Sequence, residues 1–179
     1  NSGNDTLRGG AGVDTIQAGT GDDTIIDSPG NDNISGGGGE DVYVVRGTSG
    51  HNTIQVTQVA PSLVAGDFYE LNVINFGLNS TKNLSGTGAL TPADPANRPD
   101  IERILIEGLA GNDQIAVTQA DEYSDLDFTN GIVEQTIPVT VDGGASGTDR
   151  LLVNDAGLGD LVIQRVGADV RDGSFTVGG

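Results

Sequence analysis

The sequence contains no cysteine, no methionine and no tryptophan. Without cysteine there are no disulfides and no thiolate metal sites. A single histidine, His51 in Gly50-His51-Asn52, excludes any site built on two imidazoles and is expected on a surface loop. The single lysine, Lys82, stands in a polar stretch and is expected in a loop, against a role as a buried Schiff-base amine. No G-x-S-x-G turn marks a nucleophile, and no G-K-S/T follows a glycine run to cradle phosphate. Three tyrosines and four phenylalanines leave few platforms for stacking sugar rings. Basic residues are scarce: 8 against 26 acidic ones, a net charge of −18. Such a charge repels nucleic acid and anionic lipid surfaces. No apolar run approaches the length that spans a bilayer. These absences point away from an enzyme, a nucleic-acid binder and a membrane-inserted protein. The lack of any methionine, and of a leader at Asn1, leads us to expect a processed product or an excerpt of a longer chain.

What the chain has in excess is glycine, 29 residues, and aspartate, which makes up 20 of the 26 acidic residues. The two are in phase. Asp5, Asp14, Asp23, Asp32 and Asp41 stand nine residues apart, with Gly3, Gly12, Gly21, Gly30 and Gly39 two residues before them. Leu7, Ile16, Ile25, Ile34 and Tyr43 follow two residues after. The fuller copies, Gly9-Gly10-Ala11-Gly12-Val13-Asp14 and Gly36-Gly37-Gly38-Gly39-Glu40-Asp41, add a leading glycine pair; Ala18-Gly19 partly keeps it. The first copy and Asp27-Ser28-Pro29-Gly30-Asn31-Asp32 lack it.

Each residue type has a physical reason. Calcium takes about six to eight oxygens, from carboxylates and backbone carbonyls. Glycines reach the positive φ angles that turn successive carbonyls inward. The triplet after each aspartate reads as a very short strand with one side chain facing a core. One nine-residue unit is then half a coil. Asp5, Asp23 and Asp41 line one edge, and Asp14 and Asp32 the other. The rival reading is a glycine-rich turn array with solvated aspartates, which leaves like charges stacked without a partner.

The pattern resembles the G-G-x-G-x-D-x-U-x nonapeptide of RTX proteins, over roughly residues 1 to 45. The resemblance implies a right-handed parallel β-roll, with calcium between successive loops on one edge. It implies as metal-binding positions Asp5, Asp14, Asp23, Asp32 and Asp41 with Gly3, Gly10, Gly12, Gly19, Gly21, Gly30, Gly37 and Gly39. About two or three ions are expected in these loops. Two isolated loops carry related motifs, Gly108-Leu109-Ala110-Gly111-Asn112-Asp113 and Gly143-Gly144-Ala145-Ser146-Gly147-Thr148-Asp149, the second with one residue inserted. They add Asp113 and Asp149 as candidates, against the rival that both are ordinary glycine turns. Asp142 and Asp155 flank the second loop as further oxygen donors.

We expect an all-β chain: an RTX-type roll over 1–48, then a β-rich region over 49–179. Strand-like runs occur at 53–59, 68–76, 101–106, 114–118, 136–141, 151–154, 161–165 and 174–177. Residues 77–100 read as an irregular surface excursion, and 121–127 as an acidic one. Whether 49–179 is a degenerate coil or a β-sandwich stays open at this level. Placed tail to head, Gly178-Gly179 before Asn1 gives G-G-N-S-G-N-D-T-L, the frame of G-G-A-S-G-T-D-R-L at 143–151. The tail of one unit is thus expected to complete the first loop (Asn1 to Asp5) of the next copy, coincidence being the rival. The functional expectation is a secreted calcium-binding structural unit of an extracellular filament or surface adhesin. The alternative is the C-terminal folding and secretion module of an RTX enzyme or toxin.

Overall fold

A computed structural model describes residues 2–59, 69–84, 100–119, 137–155 and 175–178. Every helix or strand element among them is a strand. In chain order these are β1 (Thr6–Leu7), β2 (Thr15–Thr20), β3 (Thr24–Ile26), β4 (Asp32–Gly38), β5 (Val42–Arg46), β6 (Thr53–Val59) and β7 (Tyr69–Asn75). There follow β8 (Leu78–Leu84), β9 (Arg103–Glu107), β10 (Gln114–Gln119), β11 (Val139–Asp142), β12 (Arg150–Asp155) and β13 (Phe175–Gly178).

They form two sheets, ordered β1-β3-β5-β9-β11 and β13-β12-β10-β6-β7-β8-β4-β2. From β1 to β6 and from β8 to β12 the chain passes from one sheet to the other and back, whereas β6, β7 and β8 are neighbours within the larger sheet. Thr6 pairs with Thr24 and Thr24 with Val42, eighteen residues apart, so two nonapeptides make one coil. Most pairings are parallel, as stacking of successive coils requires. The strands past residue 49 join the same two sheets: β9 lies beside β5 and β10 beside β6, both parallel. The described part of 49–179 is therefore a continued coil, with β9–β10 and β11–β12 as its later rungs.

The core is the narrow slot between the sheets. Ile25, Ile34, Tyr43, Ile54, Val56, Ile104 and Ile106 are each at most 1% exposed, and Leu7 packs against them from the open end. Each such side chain contributes about 1.5–3 kcal/mol by leaving water. Strands β1 to β12 each supply only one to three such core side chains, because the six-residue loops bring none inside. The slot's apolar filling is thin relative to the backbone it must order.

The irregular excursion expected over 77–100 is corrected at its start: residues 78–84 are strand β8. It forms an antiparallel hairpin with β7, inserted in the larger sheet between β4 and β6. Phe76 and Gly77 at its tip have φ of 54° and 71°, the two positive values that a two-residue mirror-image turn requires. Lys82, expected in a polar loop, lies on this strand and is fully buried. The run at 161–165 and the acidic stretch 121–127 fall outside the described residues.

Candidate metal centre

Each loop is best followed by its six positions, glycine at the second and fourth and aspartate at the sixth. All eight glycines singled out from the sequence at the second and fourth positions have φ between 102° and 139°. Side-chain-bearing residues rarely enter that region. For Gly21, Gly30, Gly37 and Gly39 a second constraint is proximity to the rung below. A Cβ on Gly30 would collide with the carbonyl oxygen of Gly12, and one on Gly37 with that of Gly19. The first position is restricted differently: a Cβ on Gly9 would come within 2.7 Å of Asp14 Oδ2, and one on Gly108 within 2.6 Å of Asp113 Oδ2. The leading glycine keeps clear the space beside the outer aspartate oxygen.

The aspartates form two ladders, one on each edge. On the first edge the Asp5 backbone N–H donates to Asp23 Oδ1 at 2.7 Å, and the Asp23 N–H to Asp41 Oδ1 at 2.8 Å. On the second edge the Asp14 N–H donates to Asp32 Oδ1 at 3.0 Å. Further along that edge the Asn52 N–H donates to Asp113 Oδ1 at 2.7 Å, and the Asp113 N–H to Asp149 Oδ1 at 3.0 Å. The loops at 108–113 and 143–149 thus carry the same inter-rung bond as the regular repeats. Asp142 Oδ1 accepts the Gly144 N–H of its own loop at 2.8 Å. Nothing is described of the Asp155 side chain.

Asp23, Asp32, Asp41, Asp113 and Asp149 each use only one oxygen this way. Oδ2 of Asp5, Asp14, Asp23, Asp41 and Asp113 is buried and accepts no hydrogen bond. A carboxylate oxygen shut away from water with no partner is costly. Five at equivalent positions are what a cation-binding row requires. Among the described residues no three acidic or imidazole side chains converge on one point. What each edge offers instead is a series of carboxylates from successive rungs, together with the backbone carbonyls of loops that contain left-handed residues. This all-oxygen set fits calcium and suits softer metals poorly.

Charge repulsion marks the same places. Burial pushes the Asp41 carboxyl above the usual range, and the charges of Asp23, Asp100 and Asp22 add to the rise. Glu102 is raised by burial and by the charges of Asp41 and Glu40.

Four participants escaped the sequence pattern. Glu102 takes the place of the next aspartate on the first edge, accepting the Asp41 N–H on Oε2 at 2.6 Å. Leu109 holds the second loop position with φ of 75°, without being glycine. Residues 47–52 form a further loop, Gly47-Thr48-Ser49-Gly50-His51-Asn52, with asparagine at the sixth position. Its signal was in the sequence, but it falls two residues out of the nine-residue phase, after Val45-Arg46. Lys82 comes in from a neighbouring strand.

Together these features define a parallel β-roll whose edges are built for calcium. The RTX calcium-binding nonapeptide repeat, as a four-copy pattern, matches residues 1–26, 8–43 and 17–54. Residues 1–54 of this chain are thus RTX calcium-binding repeats, and the match takes in the 47–52 loop. No curated protein and no solved structure matches the chain. Among the described residues no helix is long and apolar enough to cross a membrane.

Proposed function

We propose that this chain is a non-enzymatic structural unit that folds on calcium outside the cell and stacks tail to head with further copies, in a filament or a long surface adhesin. The observation that carries the reading is the row of buried, partnerless Oδ2 atoms at Asp5, Asp14, Asp23, Asp41 and Asp113. Five such groups, at about 1–3 kcal/mol each, together match the net stability of a whole domain, so binding free energy becomes folding free energy. Millimolar calcium outside cells would supply it; submicromolar calcium inside would leave the chain unfolded.

Stacking is supported by the ends of the sheets. Among the described strands β1 and β11 end the smaller sheet and β2 and β13 the larger, with only a single bridge from Ser2 on the outer side of β2. Unpaired parallel edges invite another strand, and a head-to-tail contact that does not close yields a fibre. The frame shared by Gly178-Gly179-Asn1 and 143–151 gives that contact a chemistry: a borrowed glycine pair completes the Asp5 loop of the next copy.

Circular dichroism and electron microscopy of the same material, before and after chelation, test both parts. Strand signal and filaments are expected to vanish on chelation and to return with calcium. A spectrum unchanged through calcium removal would overturn calcium-driven folding. Intact spectra with isolated particles at every calcium concentration would overturn stacking alone, and would favour a folding module of a larger secreted enzyme or toxin.

A further inference from the structure

The chain's only lysine lies where a cation belongs. Lys82 is 0% exposed. Its Nζ donates to the carbonyl oxygens of Ser28 and Gly30, each at 2.6 Å, and to Asp32 Oδ2 at 2.8 Å; Asp27 Oδ1 is 3.4 Å away. Ser28, Gly30 and Asp32 are the second, fourth and sixth positions of the 27–32 loop. The ammonium therefore meets two carbonyls and the outer aspartate oxygen from one loop, a hard-oxygen half-site. Asp32 is accordingly the one member of the five regular repeats whose Oδ2 is not left without a partner.

The inserted hairpin explains the exchange. Strand β8 occupies the place beside β4 where the next rung would stack, with Asp32 opposite Lys82 in register. The next loop on this edge, 47–52, leads into β6, two strands further along the sheet. No second aspartate loop is there to share an ion with 27–32. Instead the Thr81 N–H donates to Asn31 Oδ1 at 2.9 Å, and the following residue carries the positive charge inward.

A second nitrogen repeats the arrangement. Asn52 Nδ2 lies 3.1 Å from the Thr48 carbonyl oxygen and 2.6 Å from that of Gly50, the second and fourth positions of its own loop. It also reaches Asp113 Oδ1 at 2.8 Å. The amide orientation is fixed because Asn52 Oδ1 accepts the Thr48 N–H at 3.0 Å. Neither Ser28 nor Thr48 has positive φ, whereas Gly10, Gly19, Gly37, Leu109 and Gly144 at the same position all do. The two loops that hold a protein nitrogen are those whose second residue lacks the positive φ of the others.

We propose that Lys82 is a tethered cation standing in for a calcium ion at the 27–32 loop, so that this position is a calcium site closed by the chain itself and opened when the side chain is removed. The inference rests on the reading that the equivalent loops bind calcium. The test compares the unaltered chain with Lys82→Ala and Lys82→Met, by equilibrium dialysis against calcium and by melting across a calcium series. Lys82→Ala is expected to bind one more calcium per chain, and its melting temperature to keep rising at calcium levels that already saturate the unaltered protein. Lys82→Met fills the space without the charge; it is expected to gain no ion and to melt lower at every calcium concentration. An unchanged calcium count in Lys82→Ala would overturn the inference, as would its failure to fold in saturating calcium or a Lys82→Met that melts like the parent. An unaltered chain that binds no calcium would overturn the parent reading and this one with it, whereas a calcium-binding parent with no gain in Lys82→Ala overturns this one alone.

Discussion

At the scale of the residue, one carboxylate has two oxygens with separate duties. Oδ1 of Asp23 accepts the Asp5 N–H, and its Oδ2 is buried with no partner. The neighbouring Asp22 is exposed, and its Oδ1 accepts the Glu40 N–H at 3.1 Å. Asparagine at either position keeps an acceptor oxygen and removes the charge and the outer oxygen. Asp23→Asn places an amide nitrogen where the ion is needed, as Asn52 does. It is expected to raise the calcium midpoint of folding, followed by circular dichroism, about tenfold or more, equivalent to about 1.4 kcal/mol. Asp22→Asn should shift it by less than about twofold, within the range of ordinary surface changes. Equal midpoints would count against the inner oxygens as ligands. The aspartates and the second- and fourth-position glycines were legible in sequence because one spacing fixes both. Glu102 was not, because its partner Asp41 is 61 residues away and a glutamate breaks the motif. Leu109 was not, because nothing in a leucine announces positive φ.

At the scale of the element, the hairpin is where local reading failed. Strand β6 coincides with the run expected at 53–59, whose alternation buries Ile54, Val56 and Gln58. Strand β8 alternates too, but its inward residues are Ser80, Lys82 and Leu84. Two of these are polar, so the alternation is invisible to a hydrophobic pattern. What makes it a strand is its position between β4 and β7, where both backbone edges are paired. Its turn carries a cost that can be removed. Phe76 is 55% exposed with φ of 54°, a conformation that costs a bulky residue about 1–2 kcal/mol and asparagine much less. Phe76→Asn ahead of Gly77 is expected to stabilise the calcium-loaded protein by about 1 kcal/mol, read as a rise in the urea midpoint. A lower midpoint would mean that the ring's remaining contacts outweigh the strain.

At the scale of the whole molecule, the architecture was readable only while the period lasted. Through residue 44 every unit has the same length, and repetition alone gives the fold. Beyond it the ladder steps from Asn52 to Asp113 and then to Asp149, 61 and 36 residues. Insertions lengthen the coils, and except where the β7–β8 hairpin separates β4 from β6 the parallel stacking continues, so the period disappears while the two-sheet topology persists. The same scale decides what calcium does for a chain of net charge −18. If it only relieved general repulsion, any salt would serve, since the screening length falls from about 10 Å at 0.1 M to about 3 Å at 1 M. The partnerless oxygens are buried, beyond the reach of a diffuse ion atmosphere, and need direct ligation. Magnesium, smaller and slow to shed water, suits a multi-carbonyl cage poorly. The chelated protein is therefore expected to stay unfolded in 1 M sodium chloride and to regain little strand signal in millimolar magnesium. Millimolar calcium should fold it at low salt. Strand signal restored by sodium chloride alone would show that the aspartates act through their summed charge, and that the geometry of the two ladders is incidental to folding.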